Sequence, residues 1–161
     1  MSKTNHLTRS FLFVPGDRPE RFNKAIASGC DVVIIDLEDA VSPSNKDLAR
    51  SEVIKYFNDS TNNEVRCFVR INSIKTYDGL RDIIAFIDNG CLPDGIVLPM
   101  VDSAEEVIIL ENIIKEHKHD ISLFVVIETP KGLSNIDSIL SVSNIVEFVG
   151  FGSADYTAQT G

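Results

Sequence analysis

Short apolar runs alternate along the chain with stretches in which apolar residues recur at helical spacing. Six such runs, rich in β-branched residues, cover residues 11–14, 32–36, 67–71, 95–98, 123–127 and 147–151. Their nearly continuous apolarity is typical of strands that are buried on both faces, as in parallel sheets. The stretches between them predict helices, so the predicted order of elements is (βα)5β followed by a few further residues.

The predicted helices have recognisable ends and apolar stripes. Capping boxes at residues 17–20 and 103–106 predict where the first and fourth helices begin, and Pro43 predicts the start of the second. The second helix is predicted to turn these residues inward: Leu48, Ala49, Val53, Ile54 and Phe57. A fifth helix is predicted from a single stripe: Leu133, Ile136, Ile139 and Leu140.

Two fold classes are compatible with this order of elements. An open doubly wound sheet is one, but no glycine-rich turn follows the first strand, where its dinucleotide-binding fingerprint would stand. The other is an α/β TIM (β/α)8-type barrel, which needs eight units in about 250 residues. The 161 residues supply about six units. We therefore predict an incomplete barrel, a single domain over residues 9–161 that lacks the last two strands, after a flexible tail over residues 1–8.

Composition and charge do not identify a function, but they argue against some classes of partner. Hydrophobic residues make up 43% of the chain and charged residues 24%, which is ordinary for a globular domain. The formal net charge of −9 and the absence of a visible basic face argue against nucleic-acid binding. Residues 1–9 are polar and lack the apolar stretch of a secretory signal, and no apolar run approaches the roughly 18 residues of a membrane helix. We therefore expect a cytoplasmic protein that does not enter membranes.

Polar residues at the predicted strand ends carry the candidate chemistry. The second strand runs into Asp36-Leu37-Glu38-Asp39, the third ends at Arg70, Glu128 follows the fifth, and Asp155 follows the sixth. Because the active site of a barrel lies at the C-terminal ends of its strands, these side chains should converge. Carboxylates without histidine or cysteine suit a hard cation such as Mg²⁺. The interpretation is a metal held by Glu128 and Asp155, with Arg70 across the pocket to stabilise an enolate or bind a carboxylate.

Each of these residues also has an ordinary structural explanation. A single acidic residue at a strand end is commonly a helix cap or a solvated loop residue. Asp155 would then only N-cap a sixth helix, and Arg70 would only pair with Glu38. The occurrence of such residues at four strand ends favours a functional site.

Five segments, in this order, resemble the citrate lyase β-subunit family, also called the HpcH/HpaI aldolase family, which includes malyl-CoA and citramalyl-CoA lyases. They are RSFLFVPGDRP at residues 9–19, DLEDAV at 36–41, VRIN at 69–72, IET at 127–129 and FGSADY at 151–156. The resemblance covers residues 9–161. It implies a TIM-like barrel and a divalent metal, normally Mg²⁺, with Mn²⁺ as the alternative.

The resemblance also implies roles for individual residues. Glu128 and Asp155 match metal ligands, while Arg70 and Glu128 match the catalytic and substrate-binding residues. Contacts with the coenzyme A moiety are implied for three residues: Phe13, Arg18 and Lys24. Two acidic residues are implied to lie near the metal and support its ligands: Asp36 and Glu38.

The reaction that the resemblance implies is reversible cleavage of a carbon–carbon bond next to a thioester. A 3-hydroxy-3-carboxyacyl thioester of the citryl, malyl or citramalyl type splits into a keto acid and an acyl thioester by metal-assisted retro-Claisen or retro-aldol chemistry. The thioester handle is either coenzyme A or an acyl carrier protein. Other lyase subunits and further copies of the same chain, in a homo-oligomer, are the implied protein partners.

The chain departs from the family pattern in two ways. The fourth strand ends in Leu98-Pro99-Met100, where the family often has lysine in the last position, and the family's last two strands and C-terminal lid have no counterpart here. One alternative is therefore a catalytically inactive fragment, or a binding or assembly subunit, of the same fold. Another is a pyruvate-type class II aldolase acting on free acids. Metal-dependent turnover tests the first alternative, and coenzyme A binding tests the second.

Overall fold

A single parallel sheet forms the centre of the protein. The computed structural model describes residues 7–59, 65–90, 93–117 and 121–161. Six strands pair in chain order, each parallel to the next. They are β1 (Phe11–Pro15), β2 (Val32–Asp36), β3 (Arg66–Arg70), β4 (Gly95–Leu98), β5 (Ser122–Ile127) and β6 (Val146–Phe151). The predicted α/β fold of about six units is confirmed, while residues 1–6 of the predicted tail lie outside the described residues.

Helices connect consecutive strands, as parallel pairing requires, and a last helix follows β6. They are α1 (Phe22–Ile26), α2 (Lys46–Asp59), α3 (Tyr77–Asp88), α4 (Ala104–Glu116), α5 (Pro130–Ser134), α6 (Ile136–Ser141) and α7 (Ser153–Thr160). Short 3-10 turns, Pro19–Arg21 and Pro43–Asn45, lead into α1 and α2. No helix in the described part of the chain combines the length and apolarity needed to cross a membrane.

The sequence prediction was wrong about several helix details. Neither predicted capping box forms, because no side chain caps the turn before α1 and Ser103 accepts no capping hydrogen bond at the start of α4. Asp17 instead accepts a hydrogen bond from Asn45, which ties the end of β1 to the start of α2. The fifth predicted helix is two short helices that meet at Asn135. Leu48 is 52% exposed, so it does not belong to the inward stripe of α2.

Apolar side chains fill both faces of the sheet. The larger cluster lies between the sheet and the helices, and β2 is buried along its whole length. A smaller cluster on the other face consists of Val32, Ile34, Phe68 and Val97, with phenylalanines packed against it. The ring of Phe11 on β1 lies 5.1 Å from the rings of both Phe124 on β5 and Phe148 on β6. These contacts between strands that are not neighbours show that the sheet curves around this cluster, as in a TIM-type barrel.

Candidate active site

The carboxyl ends of the strands bring the predicted polar residues to one edge of the sheet. Asp36 is the register partner of Arg70, so the last residues of β2 and β3 lie side by side. Ile127 pairs with Phe151, which brings Glu128 next to Gly152 at the ends of β5 and β6. The parallel register therefore assembles residues that are as much as 119 positions apart, from Asp36 to Asp155, around this edge.

A forked ion pair between Arg70 and Asp36 fixes the guanidinium. Arg70 Nε donates to Asp36 Oδ1 at 2.8 Å, and Nη2 donates to Oδ2 at 2.5 Å. The same carboxylate also accepts the backbone N–H groups of Glu38 and Ala40. Asp36 is 1% exposed, and these four bonds occupy its two oxygens. Its carboxylate therefore orients Arg70 and leaves little capacity for a further ligand.

The third nitrogen of Arg70 faces two more acidic groups. Nη1 lies 3.1 Å from Glu38 Oε2 and 3.3 Å from Asp39 Oδ2, and the guanidinium carbon lies 5.1 Å from the centre of the Phe13 ring. The alternative in which Arg70 pairs only with Glu38 is wrong, because Asp36 accepts two parallel hydrogen bonds from Arg70. Burial lowers the pKa of Arg70, but its bonds and charge contacts with these acids outweigh burial and raise the pKa above its usual value.

Glu38 has a strongly perturbed carboxyl. Its pKa is raised from 4.5 to about 8, chiefly by burial; the positive charge of Arg70 opposes the rise, and the negative charges of Asp39, Glu128 and Asp36 contribute to it. The side chain is only 18% exposed. A carboxyl that titrates near neutral pH beside an arginine can hold or release a proton during a reaction.

Replacing Glu38 by glutamine should change how stability depends on pH. An acid with a raised pKa binds its proton more tightly in the folded chain than in the unfolded chain. The free energy of unfolding of the wild-type protein should therefore fall as pH rises from 4.5 to about 8. In Glu38→Gln this contribution, up to about 1.4 kcal/mol per pH unit, should disappear.

Urea unfolding across this pH range measures the effect. The control is Glu116→Gln, which removes an exposed carboxyl at the end of α4 and should keep the wild-type slope. A wild-type slope in Glu38→Gln would contradict the prediction.

Glu128 lies at the end of β5 and is 5% exposed. Its Oε2 accepts the backbone N–H of Met100 at 2.9 Å. Burial raises the pKa of Glu128, the Met100 hydrogen bond opposes this, and the charge of Asp155 adds to the rise. A Cβ at position 152 would collide with the Glu128 carboxylate, so Gly152 makes room for it.

Asp155 belongs to the first turn of α7 and is exposed. The alternative in which Asp155 N-caps this helix is wrong, because the cap position is Gly152. A carboxylate in the first turn is favoured by the positive end of the helix dipole. Asp155 lies close enough to Glu128 for its negative charge to raise the pKa of that residue.

Glu128 and Asp155 form a pair of acidic groups suited to a divalent cation. In the described ranges, neither carboxylate is in an ion pair with a basic side chain, and no group of three or more acidic, histidine or cysteine side chains has a metal-binding arrangement. Mg²⁺ usually takes one or two protein carboxylates and completes its shell with water and substrate oxygens. Glu128 and Asp155 supply two carboxylates, which is the kind and number of protein donors that this ion takes.

The residues proposed for coenzyme A lie beside β1. Phe13 and Lys24 line a groove of about 420 Å³ between β1 and α1, to which Arg21 also contributes. Arg18 does not line this groove; its exposed guanidinium lies 3.9 Å from Asp17 at the end of β1. Arg21 was not predicted, since nothing in the local sequence separates it from any other surface arginine.

Two further residues at the site were not predicted. Met100 was noted only as a missing lysine, yet its backbone holds Glu128. Lys75 donates to the Met100 carbonyl oxygen at 2.5 Å from the loop between β3 and α3. Because Lys75 and Met100 are 25 positions apart, no local sequence signal joins them.

Comparisons with known proteins agree with this geometry. A sequence profile described as HpcH/HpaI aldolase/citrate lyase matches residues 9–161. The L-malyl-CoA/beta-methylmalyl-CoA lyase of Rhodobacter capsulatus is 33% identical over 162 residues, an alignment that covers 96% of this chain and 51% of that protein. The chain thus spans about half the length of this relative.

Solved structures with a similar fold and more than 30% sequence identity are also found. The crystal structure of RipC from Yersinia pestis superposes with a TM-score of 0.80 at 35% identity, covering 96% of this chain and 62% of that one. CitE from Mycobacterium tuberculosis, solved with magnesium, acetoacetate and coenzyme A, superposes with a TM-score of 0.77 at 34% identity, covering 94% and 51%.

Proposed function

This chain belongs to the HpcH/HpaI aldolase/citrate lyase family, and from that premise we propose that it is the metal- and substrate-binding part of a carbon–carbon lyase. The substrate is a 3-hydroxy-3-carboxyacyl thioester, and the products are a keto acid and an acyl thioester. The observation that carries the proposal is the forked Arg70–Asp36 pair within charge range of the buried Glu128 carboxylate. A fixed cation facing a metal-binding carboxylate suits a reaction that develops an enolate.

Glu128 and Asp155 would hold one Mg²⁺, or Mn²⁺ in its place. Bound there, the ion would supply a Lewis acid for the hydroxyl and carboxylate oxygens of the substrate. The glycine at position 152 supports this role, because it leaves the Glu128 carboxylate space that any side chain would fill. Glu128 would contact both the ion and the substrate.

Arg70 would bind the substrate and stabilise negative charge on the forming enolate. Asp36 and the Phe13 ring fix the guanidinium, so it needs no rearrangement when charge develops. Asp39 is 69% exposed and holds only Nη1, so an incoming carboxylate or enolate oxygen can replace it with little loss. Glu38, with a pKa of about 8, would hold a proton at the same edge of the site.

The thioester handle in this proposal is coenzyme A rather than a carrier protein. The groove between β1 and α1 is lined by apolar residues of β1 and by Lys24, a combination that suits an adenine or pantetheine group beside phosphates. The name of the R. capsulatus relative and the coenzyme A in the CitE complex support the same handle. A homo-oligomeric state and a cytoplasmic location, both expected from the sequence, stay parts of the proposal.

Removing the two cations assigned to the coenzyme A site should weaken coenzyme A binding. We expect Arg18→Ala combined with Lys24→Ala to raise the Kd for acetyl-CoA by about tenfold or more, the scale of losing one or two charge-assisted phosphate contacts. Calorimetry with acetyl-CoA measures this, and Lys55→Ala, an exposed lysine on α2, is the matched control.

Two results would overturn the proposed handle. Acetyl-CoA that binds the double variant as it binds wild type would remove the residues from the coenzyme A site. Magnesium-dependent cleavage of free hydroxy acids without any coenzyme A binding would favour the class II aldolase alternative instead.

A further inference from the structure

The backbone conformation of Met100 is unusual and lies directly beside Glu128. Its φ angle is 55°, the only positive φ among the non-glycine residues that the structure describes. Left-handed backbone costs energy in any residue with a side chain, so surrounding contacts must hold it there. The N–H on one side of Met100 donates to Glu128, and the carbonyl on the other side accepts from Lys75.

Lys75 holds the segment after β4 at more than one point. Its ammonium lies 2.5 Å from the Met100 carbonyl oxygen, 2.8 Å from Asp102 Oδ2 and 3.7 Å from Glu106 Oε2. Glu106 in turn accepts the backbone N–H of Asp102 through its other oxygen. One cation therefore joins the loop after β3 to the segment that connects β4 with α4.

The loop that carries Lys75 is itself fixed. Thr76 accepts a hydrogen bond from Gly79 as the N-cap of α3, and its own N–H and hydroxyl both donate to the Ser73 carbonyl. The lysine thus extends from an ordered turn, although its side chain is 41% exposed. Because the backbone at Lys75 is ordered, its side chain can hold the Met100 carbonyl group in place.

A second route leads from Lys75 to the same site. The Asp102 carboxylate that binds the lysine also accepts the hydroxyl of Thr129, the residue after Glu128. Thr129 N-caps α5 by accepting the N–H of Gly132, and Asn135 donates to the Asp102 carbonyl. Contacts from Lys75 therefore reach both Glu128 and its chain neighbour.

We infer that Lys75 is a positioning residue for Glu128, which it serves by holding Met100 in the left-handed conformation that directs the Met100 N–H at the Glu128 carboxylate. The inference rests on the proposed function, in which Glu128 is a metal ligand. Without the ammonium, the peptide after Met100 is free to rotate towards ordinary backbone angles. The N–H then moves away from Oε2, and the carboxylate loses its fixed direction.

Lys75→Met tests this inference through two measurements. The exchange rate of the Met100 amide proton, followed by NMR without metal, should rise about tenfold or more when its hydrogen bond is released. The Kd for Mg²⁺, measured by calorimetry, should rise about tenfold, which corresponds to about 1.4 kcal/mol. Lys131→Met is the matched control, because it removes a cation that also acts on Asp102 but does not bond to Met100.

Repeating the substitution in a Met100→Gly protein distinguishes a positioning role of Lys75 from general destabilisation. Met100→Gly removes the cost of the left-handed angle, so adding Lys75→Met to it should weaken Mg²⁺ binding less than in wild type. Unchanged Met100 amide exchange in Lys75→Met, or an equal loss of affinity in both backgrounds, would overturn the inference. If the wild-type protein binds no Mg²⁺, the proposed function fails, and amide exchange alone then decides whether Lys75 holds Met100.

Discussion

Replacing Glu128 by glutamine and Asp155 by asparagine should abolish magnesium binding and, with it, any lyase turnover. Both substitutions keep the shape of the side chains and remove the charge that a divalent cation requires. Glu128 is buried, and its pKa is raised by burial and by the charge of Asp155, so its negative charge is unfavourable in the metal-free protein. A bound cation would offset this unfavourable charge, which is why we expect binding to depend on both carboxylates.

The thermal stability of the two proteins should respond oppositely to magnesium. At a concentration of about 100 times its Kd, a ligand adds about 2.7 kcal/mol to the folded state, which raises Tm by roughly 5–10 °C in a domain of this size. Wild type should show this rise. The double variant should be at least as stable as wild type without metal and should show no rise.

Asp137→Asn supplies the control for this experiment. Asp137 occupies the first turn of α6, as Asp155 occupies the first turn of α7, so its loss reproduces any effect on the helix dipole. We expect Asp137→Asn to keep the magnesium-dependent rise in Tm. An equal rise in the Glu128→Gln, Asp155→Asn protein would remove these residues from the metal site.

Substituting lysine for Arg70 should lower turnover by about 10²-fold or more, the loss seen when one oxyanion donor is removed. Lysine keeps the positive charge but cannot make the two parallel bonds that Nε and Nη2 make to Asp36. The ammonium would therefore have no fixed direction among the three acidic side chains that surround Arg70. The buried Asp36 would also lose a donor, which should lower the free energy of unfolding by about 1–3 kcal/mol.

The opposite end of the same strand offers a matched control. Arg66 begins β3 and makes its own fork to Glu147 with two bonds of 2.7 Å. Because Glu147 is 39% exposed, Arg66→Lys should remove the same kind of fork with a smaller loss of stability. Because this pair lies at the other end of the sheet, turnover per folded molecule should stay near that of wild type. Assays with malyl-CoA, citramalyl-CoA and citryl-CoA in the presence of magnesium measure both variants. Wild-type turnover in Arg70→Lys would show that the Arg70 fork is only structural.

The sequence by itself determined the six strands and their alternation with helices, although it predicted one helix where α5 and α6 stand. Each strand is a run of apolar, β-branched residues and each long helix has its own periodicity, so these signals are local and survive without knowledge of the fold. The polar residues at strand ends followed from the same pattern, because parallel strands that end together bring their last residues to one edge. Asp36, Arg70 and Glu128 were predicted at that edge and lie there.

Only the tertiary structure decided which of these residues contact one another. The register between β2 and β3 pairs Arg70 with Asp36, and a shift of one residue would have turned these side chains to opposite faces. The failed capping boxes have the same cause, since Asp17 bonds to Asn45 in place of its own helix, and Glu106 accepts the backbone N–H of Asp102. The segments that follow β3, β4 and β5 all begin at one edge of the sheet, which brings together Lys75, Met100 and Glu128. Such contacts depend on distances between segments remote in sequence, which a local pattern of apolar and polar residues does not contain.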